Sequence, residues 1–414
     1  MRFRFLLTIV LAGLLAACST DEPETSPTPA PIDPTPGGSQ RRVETFEALW
    51  KAVDRQFVYE DFAGVDWRAA HDQTLLVLAG ADTEDEFAQA MRGMLDRLPE
   101  GLARYETRAE RIEAETTDPV NYEGIGAFIS FRLEPEPHVV LLSIIPDSPA
   151  DTAGLEAHDN IYAIDGQAIT AEEGLDVVHR LRGPAASSVT LTVQTPGDSR
   201  REVNLQRAKL VTGDDVRGGV LSGTTVGYMR VPTLGDESLA NTLAQGLEDF
   251  QSQTELTGLI LDLRIAHTGS GWPLSDMLAL FGDGEMGEFY SRASTEPIQI
   301  EGQNVGASQT LPLILLVGPD TQGLPEILAA ALQATERATL VGLPTDGAIE
   351  IPTAVPLPDG SRAFIAGTSY RTPDGLDVGR QGLTPDVRVD ADWDQITTST
   401  DPVLLTAVQL LLEE

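Results

Sequence analysis

The chain has 414 residues and a formal net charge of −36. A surface this negative repels phosphate backbones and anionic headgroups, and no basic cluster is present to neutralise them, so nucleic-acid binding is set aside. Hydrophobic residues make up 41%, enough for sizeable cores, and the length allows two or three domains. Cys18 is the single cysteine, which excludes an intrachain disulfide.

Arg2 and Arg4 precede an apolar run, Phe5 to Ala17, too short for a comfortable membrane span. The run ends in Leu15-Ala16-Ala17-Cys18 and resembles a bacterial lipoprotein signal. That resemblance implies a signal peptide with a lipobox over 1–18, lipidated at Cys18. The acyl chains would tether the protein outside the cytoplasmic membrane, in the cell envelope. Residues 19–41 are rich in Pro, Ser, Thr and acid, and a disordered tether is expected there. Over 42–115 the spacing is helical. Phe46, Leu49, Trp50, Val53 and Phe57 form an apolar stripe, and DEFAQAMRGMLDRL repeats the pattern behind a capped entry at Asp82-Thr83-Glu84.

Between 116 and 209 the pattern changes to strand and turn: GIGAFISFRL, HVVLLSII, NIYAIDGQAI and SVTLTVQT read as strands, and EEGLDVVHRLRG as a helix stopped by Gly183-Pro184. From 210 to 414, apolar strands alternate with amphipathic helices (TVGYMRV, LANTLAQGLEDFQ, GLILDLR, WPLSDMLALF, PLILLVG, PEILAAALQAT, ATLVG). The alternation predicts an α/β core with a largely parallel sheet. The fold class is therefore multidomain α/β, with a helical segment, a β-sandwich-like middle domain and an α/β core. His138, His158 and His179 are scattered as surface or satisfied core histidines are. No metal-ligand spacing appears, and no cofactor is expected.

The middle segment, with GIGAFISF, PDSPA, AGL and DG in order, resembles a PDZ domain. Glycines before a strand leave backbone amides open to a terminal carboxylate, while the strand edge takes an extended peptide. The resemblance implies Gly124, Ile125, Gly126 and Ala127 as the carboxylate loop, and Phe128 and Ile129 on the pairing strand. The helix carrying Leu175 and Val178 would wall the groove. The partners implied are peptides or protein C-termini.

A PDZ-like segment after helices and before an α/β core resembles the C-terminal processing peptidases, or tail-specific proteases, whose core is crotonase- or Clp-like. The segments LTGLILDLR, RATLVGLPT and YRTPDGLDVGRQGLTPDV extend the resemblance over roughly residues 43–390. Those enzymes use a serine activated by a neutral lysine. The resemblance aligns the serine with Gly323, three residues before Glu326, and the lysine with Ala348, after Gly347. Lys51 and Lys209 are the only lysines, and neither falls near these positions. In the oxyanion loop, Arg264-Ile265-Ala266-His267-Thr268-Gly269 keeps only Gly269 of the family's glycine run. Catalysis is expected to be lost and peptide binding retained. Two alternatives stand beside this: a relocated Thr321–His267 pair in an active endopeptidase, and an apolar small-molecule site in a cleft made roomier by Gly323 and Ala348. The sequence leaves the oligomeric state open.

Overall fold

The computed structural model describes residues 36–116, 121–211, 213, 215–268 and 271–413. Cys18, most of the expected tether and Gly269 lie outside the described residues. The first helix, Pro36–Gln56, starts inside the stretch expected to be tether. It packs with helices Trp67–Leu78 and Glu84–Leu95. Phe46, Leu49, Val53 and Phe57 are buried against Phe87, Met91 and Met94, as the helical stripe requires. Thr83 caps the third helix: its hydroxyl accepts from the Glu86 amide, and the Glu86 carboxylate accepts from the Thr83 amide at 2.9 Å. This core is shared with the far end of the chain. Strand Ala103–Glu106 pairs antiparallel with Arg362–Arg371, bringing Ala363 and Ile365 into the same apolar cluster.

The middle domain is an antiparallel sheet in the order Ala127–Arg132, His138–Ile144, Asn160–Ile164, Ser188–Gln194, Arg201–Gln206. A separate strand pair, Asn121–Gly124 with Ala208–Val211, closes the segment where the chain enters and leaves it. The expected helix is a 3₁₀ turn, Gly174–Val177, running into a single α-turn, Val178–Leu181.

In the last domain, strand Arg217–Val220 lies antiparallel at the edge of a sheet that continues in parallel through Val226–Arg230, Gly258–Asp262, Leu313–Val317, Thr339–Gly342 and Val387–Arg388. Every residue of Leu313–Val317 is buried, because helices cover both faces. Leu315 and Leu340 face helices Leu239–Gln253, Leu274–Phe281 and Leu324–Ala334. Ile314, Leu316 and Val341 face Val403, Ala407 and Leu411 of helix Pro402–Glu413. A second, antiparallel sheet of Ala103–Glu106, Arg362–Arg371, Gly284–Tyr290 and Thr295–Ile300, with Ile351–Pro356 paired to its long strand, was not legible in the alternation.

The middle domain is seated on the core by residues 391–396. Phe128, Val140 and Leu142 from the domain pack with Ile265, Trp393 and Ile396. His158 Nδ1 lies 2.9 Å from the Trp393 carbonyl, Trp393 Nε1 donates to the Leu141 carbonyl at 3.1 Å, and Asn160 Nδ2 donates to the Asp394 carbonyl at 2.8 Å. His138 pairs with Asp394 at 3.1 Å. Of the three scattered histidines, His138 and His158 are thus buried interdomain contacts. Burial pushes the His158 imidazole down to about 4, against a smaller upward pull from its bond to Trp393.

Candidate functional site

The strand Leu313–Val317 ends in a tight elbow, Gly318 to Gly323, that opens the helix Leu324–Ala334. Gly323 takes φ 72° and ψ −131°, a conformation open to glycine and costly for side chains. Its amide donates to the Ala348 carbonyl at 2.9 Å. The two positions that the resemblance assigns to nucleophile and base are therefore neighbours across one hydrogen bond, although 25 residues separate them in the chain (348 minus 323).

Thr268 completes this group. Its hydroxyl accepts from the Leu324 amide at 2.7 Å, and a Cβ built on Gly323 would overlap that hydroxyl and approach Thr268 Cβ to 3.1 Å. The space expected to open at Gly323 is filled from the facing loop. Below the elbow, Glu326 is completely buried. Its Oε1 accepts from the Gly347 amide at 2.9 Å and from the Thr345 hydroxyl, while Oε2 has no partner among the described residues. Desolvation pushes its carboxyl up to about 7, against those hydrogen bonds and with the charges of Asp346 and Glu350 adding. Glu350 is also held above the usual carboxylate range, chiefly by burial, and accepts from the Tyr59 hydroxyl. The segment around Ala348 is therefore rich in carboxyl groups, a more polar setting than an apolar ligand would favour.

Thr321 is fully buried. Its hydroxyl donates to the Leu263 carbonyl at 2.9 Å and accepts from the Gly318 amide at 3.1 Å, so it is a clasp inside the elbow. His267 is half-buried, its Nε2 without a partner among the described residues, and its ring is held below the ordinary imidazole value by desolvation, partly offset by Asp320. The two side chains are not hydrogen-bonded to each other. The Thr321 proton is committed to a backbone carbonyl, so this arrangement does not hold the contact that a relocated pair would need. Beside the elbow, Arg132 reaches from the middle domain to Asp320, 3% exposed, and to Asp392 at 2.8 Å.

The peptide-binding residues named from sequence come together at one sheet edge. Gly124 ends its strand and Ile125 is buried, its carbonyl accepting from Ala150 at 2.8 Å. Gly126 has φ 92°, and its carbonyl accepts from Ile145 and from the Ser148 hydroxyl. The strand Ala127–Arg132 pairs on one side with His138–Ile144, and among the described residues no strand pairs with its other side. That edge faces the 3₁₀ turn, where Leu175 is 62% exposed, and Val178, at the start of the α-turn that follows, is half-buried. Ile129 points into the domain's own core, whereas Phe128 turns its ring into the contact with Trp393.

Thr268 lies in the loop 264–269, and nothing in its local sequence marks it as part of the site. No local pattern marks a hydroxyl that becomes meaningful only across 55 residues of chain (323 minus 268).

Comparison with known proteins fits this architecture. The sequence profile of Peptidase family S41 matches residues 225–389, a PDZ domain profile matches 140–195, and the Tricorn protease C1 domain profile matches 39–96. A carboxyl-terminal-processing protease of Picosynechococcus is 30% identical over 375 residues, covering 88% of each chain. The chain belongs to the C-terminal processing peptidase family. The chloroplastic C-terminal processing peptidase of Tetradesmus obliquus is 28% identical over 371 residues, covering 84% of this chain and 77% of that protein. The solved structure of a photosystem II D1 C-terminal processing protease superposes with a TM-score of 0.63 at 27% identity, covering 84% of this chain and 93% of the other. The architecture is that of the family: N-terminal helices, a PDZ domain and an α/β peptidase core. A PDZ domain suggests the binding of peptide C-termini.

Proposed function

We propose that this family member has lost its peptidase chemistry and works by binding. Its PDZ domain captures extended peptides or protein C-termini outside the cytoplasmic membrane, where lipidated Cys18 anchors the chain. The observation that carries the reading is the pairing of Gly323 with Ala348. An elbow built to present a side chain has none at residue 323, and the residue bonded to it has no amine. The family mechanism, as the resemblance gives it, needs a hydroxyl and a lysine in that contact. Losing both nucleophile and base lowers such catalysis by several orders of magnitude.

What supports binding is the unpaired edge of Ala127–Arg132 beside the exposed Leu175. A peptide laid on that edge gains main-chain hydrogen bonds, and its terminal carboxylate meets the turn at Gly124 to Ala127. The test is calorimetry of the purified chain against a library of free C-terminal peptides. Micromolar binding is expected for some members, weakened about tenfold by Leu175→Asp, which sits on the surface and leaves the fold intact. Gly126→Glu is expected to abolish it, because a side chain there would press on Ser148 and take a left-handed backbone. Absence of binding across the library, or binding indifferent to Leu175→Asp, would overturn the proposal.

A further inference from the structure

We infer that Thr268 is a built-in occupant of the elbow: its hydroxyl stands where a side chain at residue 323 would stand, and it holds the Leu324 amide that would otherwise face a ligand's carbonyl or carboxylate oxygen. The inference rests on the binding reading and deepens it, because it assigns peptide capture to the PDZ edge and withholds it from the elbow.

The hydrogen-bond accounting of the elbow leads there. A strand-to-helix elbow stabilises an acyl oxygen through amides left free at the start of the helix. Here the Thr321 amide donates to Gly318, that of Gln322 to Ala266 at 3.0 Å, and that of Gly323 to Ala348 at 2.9 Å. Pro325 has no amide hydrogen. Of the amides from 321 to 324, only that of Leu324 has a side chain as its acceptor, at 2.7 Å from Thr268 Oγ1. Backbone acceptors are fixed by the fold, whereas a threonine side chain leaves by one rotation about χ1. Thr268 is solvent-exposed among the described residues, which leaves that rotation open. The site is therefore closed in two ways that act together: the side chain at 323 is missing, and its volume and its neighbouring donor are already taken. A serine introduced at 323 meets the Thr268 hydroxyl before it meets a substrate.

The test has two arms. In the first, hydrogen exchange of the Leu324 amide is followed in the full chain. Thr268→Ala is expected to speed exchange about tenfold by removing the acceptor, and Thr268→Ser, which keeps the hydroxyl, to restore the wild-type rate. Unchanged exchange in Thr268→Ala overturns the inference. In the second arm, cleavage of an unstructured protein is compared between Gly323→Ser with Ala348→Lys and the same pair with Thr268→Gly. The triple variant is expected to cleave at least about tenfold faster, since it regains both the space and the donor. Equal cleavage by both variants overturns the inference, and if neither cleaves, the exchange rates decide it. Cleavage by the wild-type chain would strike instead at the reading of lost chemistry and leave the Thr268–Leu324 contact standing.

Discussion

Two buried groups give this protein opposing responses to pH, and their balance is measurable. His158 is 5% exposed at the interdomain contact and is held down to about 4 from an ordinary 6.5. Above pH 6.5 it is neutral in both folded and unfolded chains, and its contribution is intact. As pH falls below 6.5, the unfolded chain takes up a proton that the folded chain refuses until about 4, so about 3 kcal/mol of stability is lost across that window. Glu326 works in the other direction, pushed up from 4.5 to about 7. Below pH 4.5 it is protonated in both states. As pH rises towards 7 the unfolded chain releases the proton first, and about 3 kcal/mol is lost on the way up. Between pH 4.5 and 6.5 the two slopes nearly cancel. His158→Asn removes one of them cleanly. Asn keeps a donor for the Trp393 carbonyl and tolerates the left-handed φ of 78° at this position. Urea denaturation at closely spaced pH should then show stability rising by about 3 kcal/mol relative to wild type as pH falls from 6.5 to 4. Glu326→Gln should show the reverse, gaining relative to wild type as pH rises from 4.5 to 7. Comparing each variant with wild type cancels the titrations they share. Profiles for both variants that run parallel to wild type would refute the argument, since neither group would then be shifted by its surroundings.

Other consequences follow from the same contacts. Trp393→Ala removes the ring that joins Val140, Leu142 and Ile265 and takes one donor from the Leu141 carbonyl, which keeps the His158 amide at 2.8 Å. It should cost about 3–5 kcal/mol and release a PDZ-sized fragment in limited proteolysis. Arg132→Met leaves Asp320 buried without its guanidinium and should cost about 3–5 kcal/mol by urea denaturation, most of it recovered by adding Asp320→Asn. Cys18→Ser in a bacterial host should move the protein from the membrane to the soluble fraction, and retention in the membrane would count against lipid anchoring at that residue.

Much of this architecture was legible in the chain because its signals are local. The helical stripe at Phe46, Leu49, Val53 and Phe57 and the Thr83–Glu86 cap each rest on a few consecutive turns. The parallel core strands read as short apolar runs because they are buried on both faces. The antiparallel sheet around Arg362–Arg371 was missed for the opposite reason. It draws strands from residues 103 to 371, and its outer members Thr295–Ile300 and Ile351–Pro356 are mostly exposed, with prolines among them. Similarly, Gly323 and Ala348 could be matched to a family pattern, but the sequence carries no sign that Thr268 fills the vacated space. The burial of Glu326 is a tertiary fact of the same kind. His138 and His158 fit the reading of satisfied core histidines, but their partners, Asp394 and Trp393, lie more than 230 residues away and have no local signal.

The most direct test of the central claim is a peptidase assay on the purified wild-type chain, using an unstructured protein and free C-terminal peptides as substrates. The account predicts no cleavage above a blank, because residue 323 offers no nucleophile and residue 348 no base. Cleavage by the wild-type chain that disappears in Thr321→Val or His267→Ala would contradict it.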